Sequence, residues 1–204
     1  MKALVLVDLQ NDFCPGGALP VPEGHEVIPV ANGLAARFDL VVATQDWHPR
    51  EHRSFAVNHK GRGPGEVVEL NGRPQVLWPE HCVQGSAGAQ FHGALERTRV
   101  TKVIRKGMDP GVDSYSGFFD NDRRRATPLG RLLKKRGVTD AYVCGLATDY
   151  CVKFTALDAV ALGFRTWLVL DACRGVNLKP GDVDRAIEEM QAADVRVIHA
   201  RQLP

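Results

Sequence analysis

A cysteine at the start of a predicted helix is the residue best placed for nucleophilic chemistry in this sequence. It closes the segment Gly145-Leu-Ala-Thr-Asp-Tyr-Cys151, which follows the apolar run 141–146 and begins an amphipathic pattern over 150–162. The free N–H groups of a helix's first turn carry partial positive charge, so they favour a thiolate and can donate to a developing oxyanion. A lone cysteine is more often an inert buried thiol, so the rest of the sequence must decide whether Cys151 is a nucleophile.

Two charged residues follow other predicted strands and could activate such a thiol. Asp8 comes directly after the apolar run 3–7, and Lys106 comes directly after the run 102–105. A thiol needs a base to remove its proton and a cation to hold the thiolate, and these two side chains supply both. Taken singly, the aspartate has a plainer role as a turn cap and the lysine as a solvated charge. Together with Cys151 they predict a nucleophile, its base and its electrostatic partner.

A second set of residues has the chemistry of a metal site. Asp46 and His48 stand two positions apart on an extended segment, so both side chains can point the same way, and His81 follows a glycine-rich stretch. One carboxylate and two imidazoles suit Zn²⁺, Fe²⁺ or Mn²⁺ and leave positions open for water or substrate. Spacing alone does not choose among these and three further histidines nearby: His52, His59 and His92.

Alternating apolar runs and helical patterns predict the elements that position these residues. Continuous apolar runs indicate strands buried on both faces, at 3–7, 40–44, 102–105, 141–145, 166–170 and 195–199. Helical patterns lie between them at 26–37, 88–96, 128–136, 150–162 and 182–192. The alternation predicts a three-layer α/β/α sandwich with a mostly parallel sheet of about six strands. Active sites of such sheets lie at the carboxyl ends of the strands, where Asp8, Asp46, Lys106 and Cys151 all fall.

The length and one long irregular segment bear on domain organisation. A chain of 204 residues fits a single domain, and we expect residues 1–204 to form one. The segment 47–90 is rich in Gly, Pro and His and shows no clear periodicity. A loop of that length in a compact domain is usually functional or disordered, and its aromatic and histidine content favours function. We therefore expect it to bind metal and substrate.

The charge and cysteine content limit the partners and the compartment. A formal net charge of +2, with Arg123-Arg-Arg125 as the one basic cluster, favours neither nucleic acid nor an anionic membrane. The first apolar run is too short for a signal peptide and no later run could span a bilayer. Five cysteines without close C-x-x-C pairs argue against a disulfide framework or a Cys₄ zinc site. We expect a cytoplasmic protein whose partners are small molecules or copies of itself.

Five motifs from residue 8 to residue 152 carry a resemblance to a known family. The sequence resembles the nicotinamidases of the isochorismatase-like cysteine hydrolase superfamily, and the motifs stand in family order. They are Asp8-Leu-Gln-Asn-Asp-Phe13, Asp46-Trp-His-Pro49, Trp78-Pro-Glu-His-Cys-Val-Gln-Gly85, Lys106-Gly107 and Gly145-Leu-Ala-Thr-Asp-Tyr-Cys-Val152. The resemblance implies an isochorismatase-like, Rossmann-like fold and hydrolysis of nicotinamide to nicotinate and ammonia in NAD salvage, with pyrazinamide as a surrogate substrate.

The resemblance also implies roles for the reactive residues. Asp8, Lys106 and Cys151 fall on the family's catalytic triad, which works through a cysteine thioester. The peptide bond between Leu146 and Ala147 falls where the family has a cis bond. With that bond, the N–H groups of Ala147 and Cys151 would point together and form the oxyanion hole.

Metal and substrate positions follow from the same resemblance. Asp46, His48 and His81 fall on the family's metal-ligand positions, for one divalent ion, with Zn²⁺ expected first and Fe²⁺ or Mn²⁺ as alternatives. The family's fourth ligand position varies; here it holds Ser54, which would reach the ion directly or through a water. The metal binds the pyridine nitrogen in the family. The residues expected around the ring are Phe13, Leu19, Trp78 and Tyr115.

Three other functions compete with this one. Another C–N hydrolase of the superfamily, acting on a carbamoyl or ureido substrate, would share the triad but would not need the metal ligands. A catalytically silent binding protein on this fold would lack the cysteine or its partners. A structural zinc module built on Cys14, Cys82 and nearby histidines does not fit the spacing. Related enzymes range from monomers to larger assemblies, so a homo-oligomer is also an expectation.

Overall fold

A six-stranded parallel sheet forms the centre of the protein. The computed structural model describes residues 1–203. Its strands are β1 (Lys2–Val7), β2 (Val41–Asp46), β5 (Lys102–Lys106), β6 (Asp140–Leu146), β7 (Arg165–Arg174) and β8 (Arg196–Ile198). Their order in the sheet is β5-β2-β1-β6-β7-β8, and every neighbouring pair is parallel. All residues of β2 and β6 are buried, as the continuous apolar runs predict.

Helices cover both faces of this sheet. They are α1 (Val27–Ala35), α2 (Leu129–Lys135), α3 (Lys153–Ala161) and α4 (Asp182–Ala192). Helix α1 packs across β1, β6 and β7, while α3 packs on β6 and β7 and against α4. Right-handed crossovers run to opposite sides from β1 and from β6, so α1 and α3 lie on opposite faces. The α/β/α sandwich is thereby confirmed, and across residues 1–203 none of the helices has the length and apolarity that a membrane crossing requires.

Four strand ends deliver polar side chains to one edge of the sheet. Asp8 directly follows β1, Asp46 ends β2, Lys106 ends β5 and Cys151 lies five residues beyond β6. Asp46 is paired with Lys106 in the ladder between β2 and β5. Because the strands are parallel, these residues meet above the same carboxyl edge.

The predicted helix at 88–96 is wrong. The segment is an irregular strap whose backbone is tied to the loop after β1: Asn11 N–H donates to Gln90 O (2.9 Å), and His92 N–H donates to Leu9 O (2.9 Å). Side chains compete for its carbonyls as well, because both Gln10 and Gln45 donate to Ala89 O. These tertiary hydrogen bonds satisfy the groups that a helix would have paired internally.

The long segment 47–90 contains a hairpin that its lack of periodicity did not predict. Strands β3 (Val67–Leu70) and β4 (Arg73–Val76) pair antiparallel around Asn71 and Gly72. Both turn residues have positive φ, 54° and 76°, which is the Asn-Gly turn that favours two-residue hairpins. The rest of the segment is held by short turns and isolated bridges, including Phe55 to Trp78.

Candidate active site

Lys106 is the buried centre of the site. Its side chain is fully buried, and its ammonium group donates to Asp46 Oδ1 (2.6 Å), Ser114 O (2.8 Å) and Cys151 Sγ (3.4 Å). Burial opposes the charge, but Asp46 and Asp8 outweigh it and raise the pKa of Lys106 well above its ordinary value. The lysine is therefore a fixed cation beside the thiol.

Asp8 has one oxygen that is paired with Lys106 and can still take a proton. Its Oδ1 accepts from Thr44 Oγ1 (2.6 Å), while its Oδ2 forms an ion pair with Lys106 Nζ (2.9 Å). Each carboxylate oxygen has two lone pairs, so Oδ2 keeps one beside this ion pair. Burial raises the pKa of Asp8 despite the nearby lysine. A carboxylate of raised basicity with a lone pair left is suited to act as a general base.

Cys151 is a protonated thiol that needs such a base. Burial raises its pKa well above the ordinary value, and Lys106 only partly opposes this. Its Sγ and the carboxylates of Asp8 and Asp46 have atoms that all lie within 4.8 Å of one another. The geometry thus places a carboxylate that could accept the thiol proton beside the sulfur.

The turn that carries Cys151 has an unusual backbone. The bond between Leu146 and Ala147 is cis, and residues Thr148–Val152 form a π-helical turn before α3 begins. π-Turns often occur at functional sites. Gly145 has φ +124°, and a Cβ there would lie 2.1 Å from Val7 O, so only glycine allows β6 to approach β1 this closely.

The structure also brings the three expected metal ligands together. Asp46, His48 and His81 are buried and offer ligand atoms within 4.8 Å of one another. His48 Nδ1 donates to Gly107 O (2.8 Å) and His81 Nδ1 donates to Pro79 O (2.7 Å), so Nε2 is the ligand nitrogen of each neutral ring, and that of His48 lies 3.5 Å from Asp46 Oδ2. Such fixed imidazoles with a carboxylate fit a divalent metal ion.

The charges of these three groups depend on one another. Burial alone would raise the pKa of Asp46, but Lys106 and His48 hold it well below its usual range. Burial opposes the charged form of His48, while Asp46 outweighs burial and raises its pKa. Burial and His48 lower the pKa of His81 to about 4, so this imidazole is neutral at neutral pH. Asp46 is therefore ionised and His81 is neutral, and these are the protonation states in which both side chains can bind a metal ion.

Ser54 and His52 lie next to this set. Ser54 is buried, and its Oγ lies 2.7 Å from His52 Nδ1, which also accepts from Ser54 N–H (3.2 Å). His52 Nε2 therefore carries the proton and, within residues 1–203, has no hydrogen-bond partner. Of the histidines that spacing left open, His52 joins a group with His48 and Asp113, whereas neither His59 nor His92 joins such a group within the described part of the chain.

Asp113 is a site residue that the sequence reasoning missed. It is buried, and its carboxylate accepts from Ser114 N–H (2.7 Å) and Gln75 Nε2 (3.2 Å). It follows no strand and stands in the irregular segment after Lys106, so no periodicity marks it. Its nearness in sequence to Tyr115 was the one available signal.

A narrow slot joins the thiol to the metal-binding group. Its walls include all four expected ring contacts, and its complete lining is Phe13, Leu19, Asp46, Trp78, His81, Asp113, Tyr115, Ala147, Tyr150, Cys151 and Val176. The free volume is about 30 Å³, far below the roughly 300–1,000 Å³ typical of ligand pockets. The slot is therefore closed around its lining side chains.

Comparisons with known proteins agree with this architecture. The isochorismatase domain model matches residues 2–202. A nicotinamidase from Escherichia coli is 52% identical over 94% of this chain and 92% of its own length. The solved structure of an Acinetobacter baumannii nicotinamidase/pyrazinamidase has a TM-score of 0.97 at 47% identity and covers 100% of this chain and 98% of its own.

A metal-bound structure is also similar. Pyrazinamidase from Pyrococcus horikoshii in complex with zinc has a TM-score of 0.80 at 42% identity, covering 97% of this chain and 98% of its own. These matches span nearly the whole chain in both directions. The protein belongs to the isochorismatase-domain family.

Proposed function

We propose that this protein is a metal-dependent amidase that hydrolyses nicotinamide to nicotinate and ammonia, and pyrazinamide likewise. The observation that carries the proposal is that Asp46 and His81 line the same slot as Cys151. A pyridine nitrogen held at one end of this slot would place a ring carboxamide at the other, within reach of the sulfur. The similar nicotinamidase and pyrazinamidase sequences and structures support the same activity.

The first half of the reaction forms a thioester. Asp8 Oδ2 takes the thiol proton, and the sulfur of Cys151 attacks the carboxamide carbon. The tetrahedral oxyanion accepts hydrogen bonds from the N–H groups of Ala147 and Cys151, a type of donor whose loss costs roughly 10²–10³ in rate. The C–N bond then breaks, Asp8 returns its proton to the leaving nitrogen, and ammonia departs.

The second half releases the acid. Water enters the space left by ammonia, and Asp8 removes its proton as it adds to the thioester carbonyl. The C–S bond breaks, Cys151 regains a proton, and nicotinate leaves. Lys106 stays charged throughout and stabilises the departing thiolate from 3.4 Å.

Asp46, His48 and His81 would hold the metal. When bound, the ion supplies a Lewis acid that fixes the pyridine nitrogen and draws electron density from the ring. We propose Zn²⁺ as the resident ion, with Fe²⁺ and Mn²⁺ as alternatives, because the donor set is one carboxylate and two imidazoles. Ser54 Oγ donates its proton to His52 and keeps its lone pairs, so we propose that Ser54 acts on the ion directly or through a water.

Phe13, Leu19, Trp78 and Tyr115 would enclose the substrate ring. Trp78 stands edge-on to Tyr150 with ring centroids 4.9 Å apart, and its Nε1 donates to Tyr115 OH (3.1 Å). Aromatic walls of fixed orientation favour a planar heterocycle. We further propose that residues 1–204 act as one hydrolase domain in the cytoplasm.

One assay separates this function from its nearest competitor. Purified protein is given nicotinamide or a carbamoyl or ureido compound, ammonia is measured, and metal content is determined on the same sample. We expect release from nicotinamide by metal-loaded protein. Release only from the carbamoyl or ureido compound would assign the site to another C–N hydrolase of the family.

A further inference from the structure

The hairpin β3–β4 carries one buried polar side chain, Gln75, which contacts two residues that line the slot, Asp113 and Tyr115. Gln75 is only 6% exposed, in contrast to its neighbours Arg73 and Pro74. We infer that Gln75 is a positioning residue that holds the aromatic wall of the slot closed over the substrate. The inference rests on the proposed function for the identity of the substrate, while the closure itself rests on the contacts below.

The amide of Gln75 ties the hairpin to two residues of the slot. Its Nε2 donates to Tyr115 OH (3.0 Å) and Asp113 Oδ2 (3.2 Å), besides the neighbouring Val76 O (2.8 Å). Two N–H groups are therefore shared among three acceptors. A buried amide in such a network is costly to leave unpaired, so the wall and the hairpin should move together.

Tyr115 is the point where this network meets the aromatic wall. Its hydroxyl oxygen accepts from both Gln75 Nε2 and Trp78 Nε1 (3.1 Å), which occupies both lone pairs. Burial raises the pKa of Tyr115 well above its ordinary value, so the hydroxyl stays neutral. Gln75 thus fixes Tyr115 directly and Trp78 through it.

Tyr115 and Asp113 also separate two cavities of very different size. On one side is the slot, with about 30 Å³ of free volume. On the other is a cavity of about 330 Å³ bounded by the hairpin and also lined by Gln75 and Phe154. A substrate ring does not fit the empty slot at this width, whereas Tyr115 has free space behind it. Displacement of Tyr115 toward the larger cavity would admit the ring, and the hydrogen bonds from Gln75 and Trp78 would then hold Tyr115 against the ring, which is the closed state with substrate bound.

The access of reagents to Cys151 tests this closure independently of the reaction. Gln75→Met keeps the length of the side chain and removes its hydrogen-bond donors; Glu69→Gln, on the exposed side of the same hairpin, is the matched control. Alkylation of Cys151 by iodoacetamide and by a bulky maleimide is followed by peptide mass mapping in the intact protein. The ratio of the two rates cancels changes in thiol reactivity and reports access.

We expect Gln75→Met to raise the ratio of the Cys151 alkylation rate with the bulky maleimide to that with iodoacetamide by about tenfold, as the loss of such hydrogen bonds implies. The KM for nicotinamide should rise about tenfold while kcat changes less than about threefold, because the wall no longer favours the closed state. Glu69→Gln should change neither quantity. If Gln75→Met folds and its alkylation ratio equals that of the unmodified protein, the inference is overturned.

Tyr115→Phe provides a second variant in case Gln75→Met does not fold. It removes the shared acceptor but keeps the ring, so it should raise the alkylation ratio in the same direction. Where both variants fold, their effects should be less than additive, since each breaks the same contact. Full additivity, or no change in Tyr115→Phe, would also contradict the role assigned to Gln75. If the protein does not hydrolyse nicotinamide but the variants still change the alkylation ratio, the closure by Gln75 stands and only nicotinamide as the substrate is rejected.

Discussion

Lys106 Nζ forms an ion pair with Asp8 Oδ2 (2.9 Å) and also lies within hydrogen-bond distance of Asp46 Oδ1, Ser114 O and Cys151 Sγ. One buried cation is thus shared between two carboxylates and a thiol. In the proposed mechanism this lysine stabilises the thiolate while Asp8 keeps a lone pair for the thiol proton. Lys106 also connects Cys151 to the metal-binding group through Asp46.

Loss of the Lys106 charge should destabilise the fold. Lys106→Met leaves the carboxylates of Asp8 and Asp46 buried without a cation, which typically costs about 3–5 kcal/mol. Urea unfolding should show a decrease of that size in the free energy of unfolding. Lys135→Met, on the exposed surface of α2, serves as the control. A loss below about 1 kcal/mol, as for a surface pair, would contradict the central place given to this lysine.

The acidic limb of the pH–rate profile should reflect Asp8. A general base must be ionised, so activity is present above its pKa and is lost as pH falls through it. Burial raises that pKa above the ordinary 3.8, so the limb of kcat/KM should lie at higher pH than for a solvated aspartate. Asp8→Asn should remove most activity at every pH. An acidic limb of kcat/KM at the pH where a solvated aspartate titrates would argue against Asp8 as the base.

Removal of the metal should abolish activity reversibly. We expect a strong chelator to suppress ammonia release and added Zn²⁺, Fe²⁺ or Mn²⁺ to restore it. His81→Ala should weaken zinc binding by more than about 100-fold in a competition titration with a chromogenic chelator. His59→Ala removes a half-buried histidine of the same long segment, which joins no metal-binding group among residues 1–203, and should leave zinc affinity unchanged. Full turnover by protein verified to be metal-free would refute the metal requirement.

Truncation of Trp78 should weaken substrate binding more than chemistry. Trp78→Ala removes an aromatic wall and the donor to Tyr115, which should raise the KM for nicotinamide roughly tenfold. Trp167→Phe, which affects a ring stacked on Tyr142 away from the slot, is the control. Steady-state kinetics with both variants decides the point. An unchanged KM in Trp78→Ala would remove this residue from the ring site.

The ends of the strands are the part of the site that the sequence predicts best. Apolar runs marked all six strands of the sheet, and parallel strands necessarily bring their carboxyl ends to one edge. Asp8, Asp46 and Lys106 could therefore be placed together before any contact was known. The family motifs supplied the remaining expected metal ligand, His81, which lies outside the sheet.

Residues held by irregular backbone could not be predicted in the same way. The strap at 88–96 has a helical pattern, but Gln10, Gln45 and the loop after β1 take its hydrogen-bonding groups. Asp113 and Gln75 reach the site through tertiary contacts that leave no periodic trace. The hairpin around Asn71 and Gly72 did have a signal, since Asn-Gly between short strand-forming runs is typical of a tight turn.

The most direct test of the whole account compares ammonia release from nicotinamide by the unmodified protein and by Cys151→Ala at equal, measured zinc content. We expect sustained release by the unmodified protein and a loss of at least about 10³-fold in Cys151→Ala, with unchanged circular dichroism and zinc affinity. Release by a correctly folded, zinc-loaded Cys151→Ala protein at a comparable rate would contradict it, because no other residue is assigned the attack.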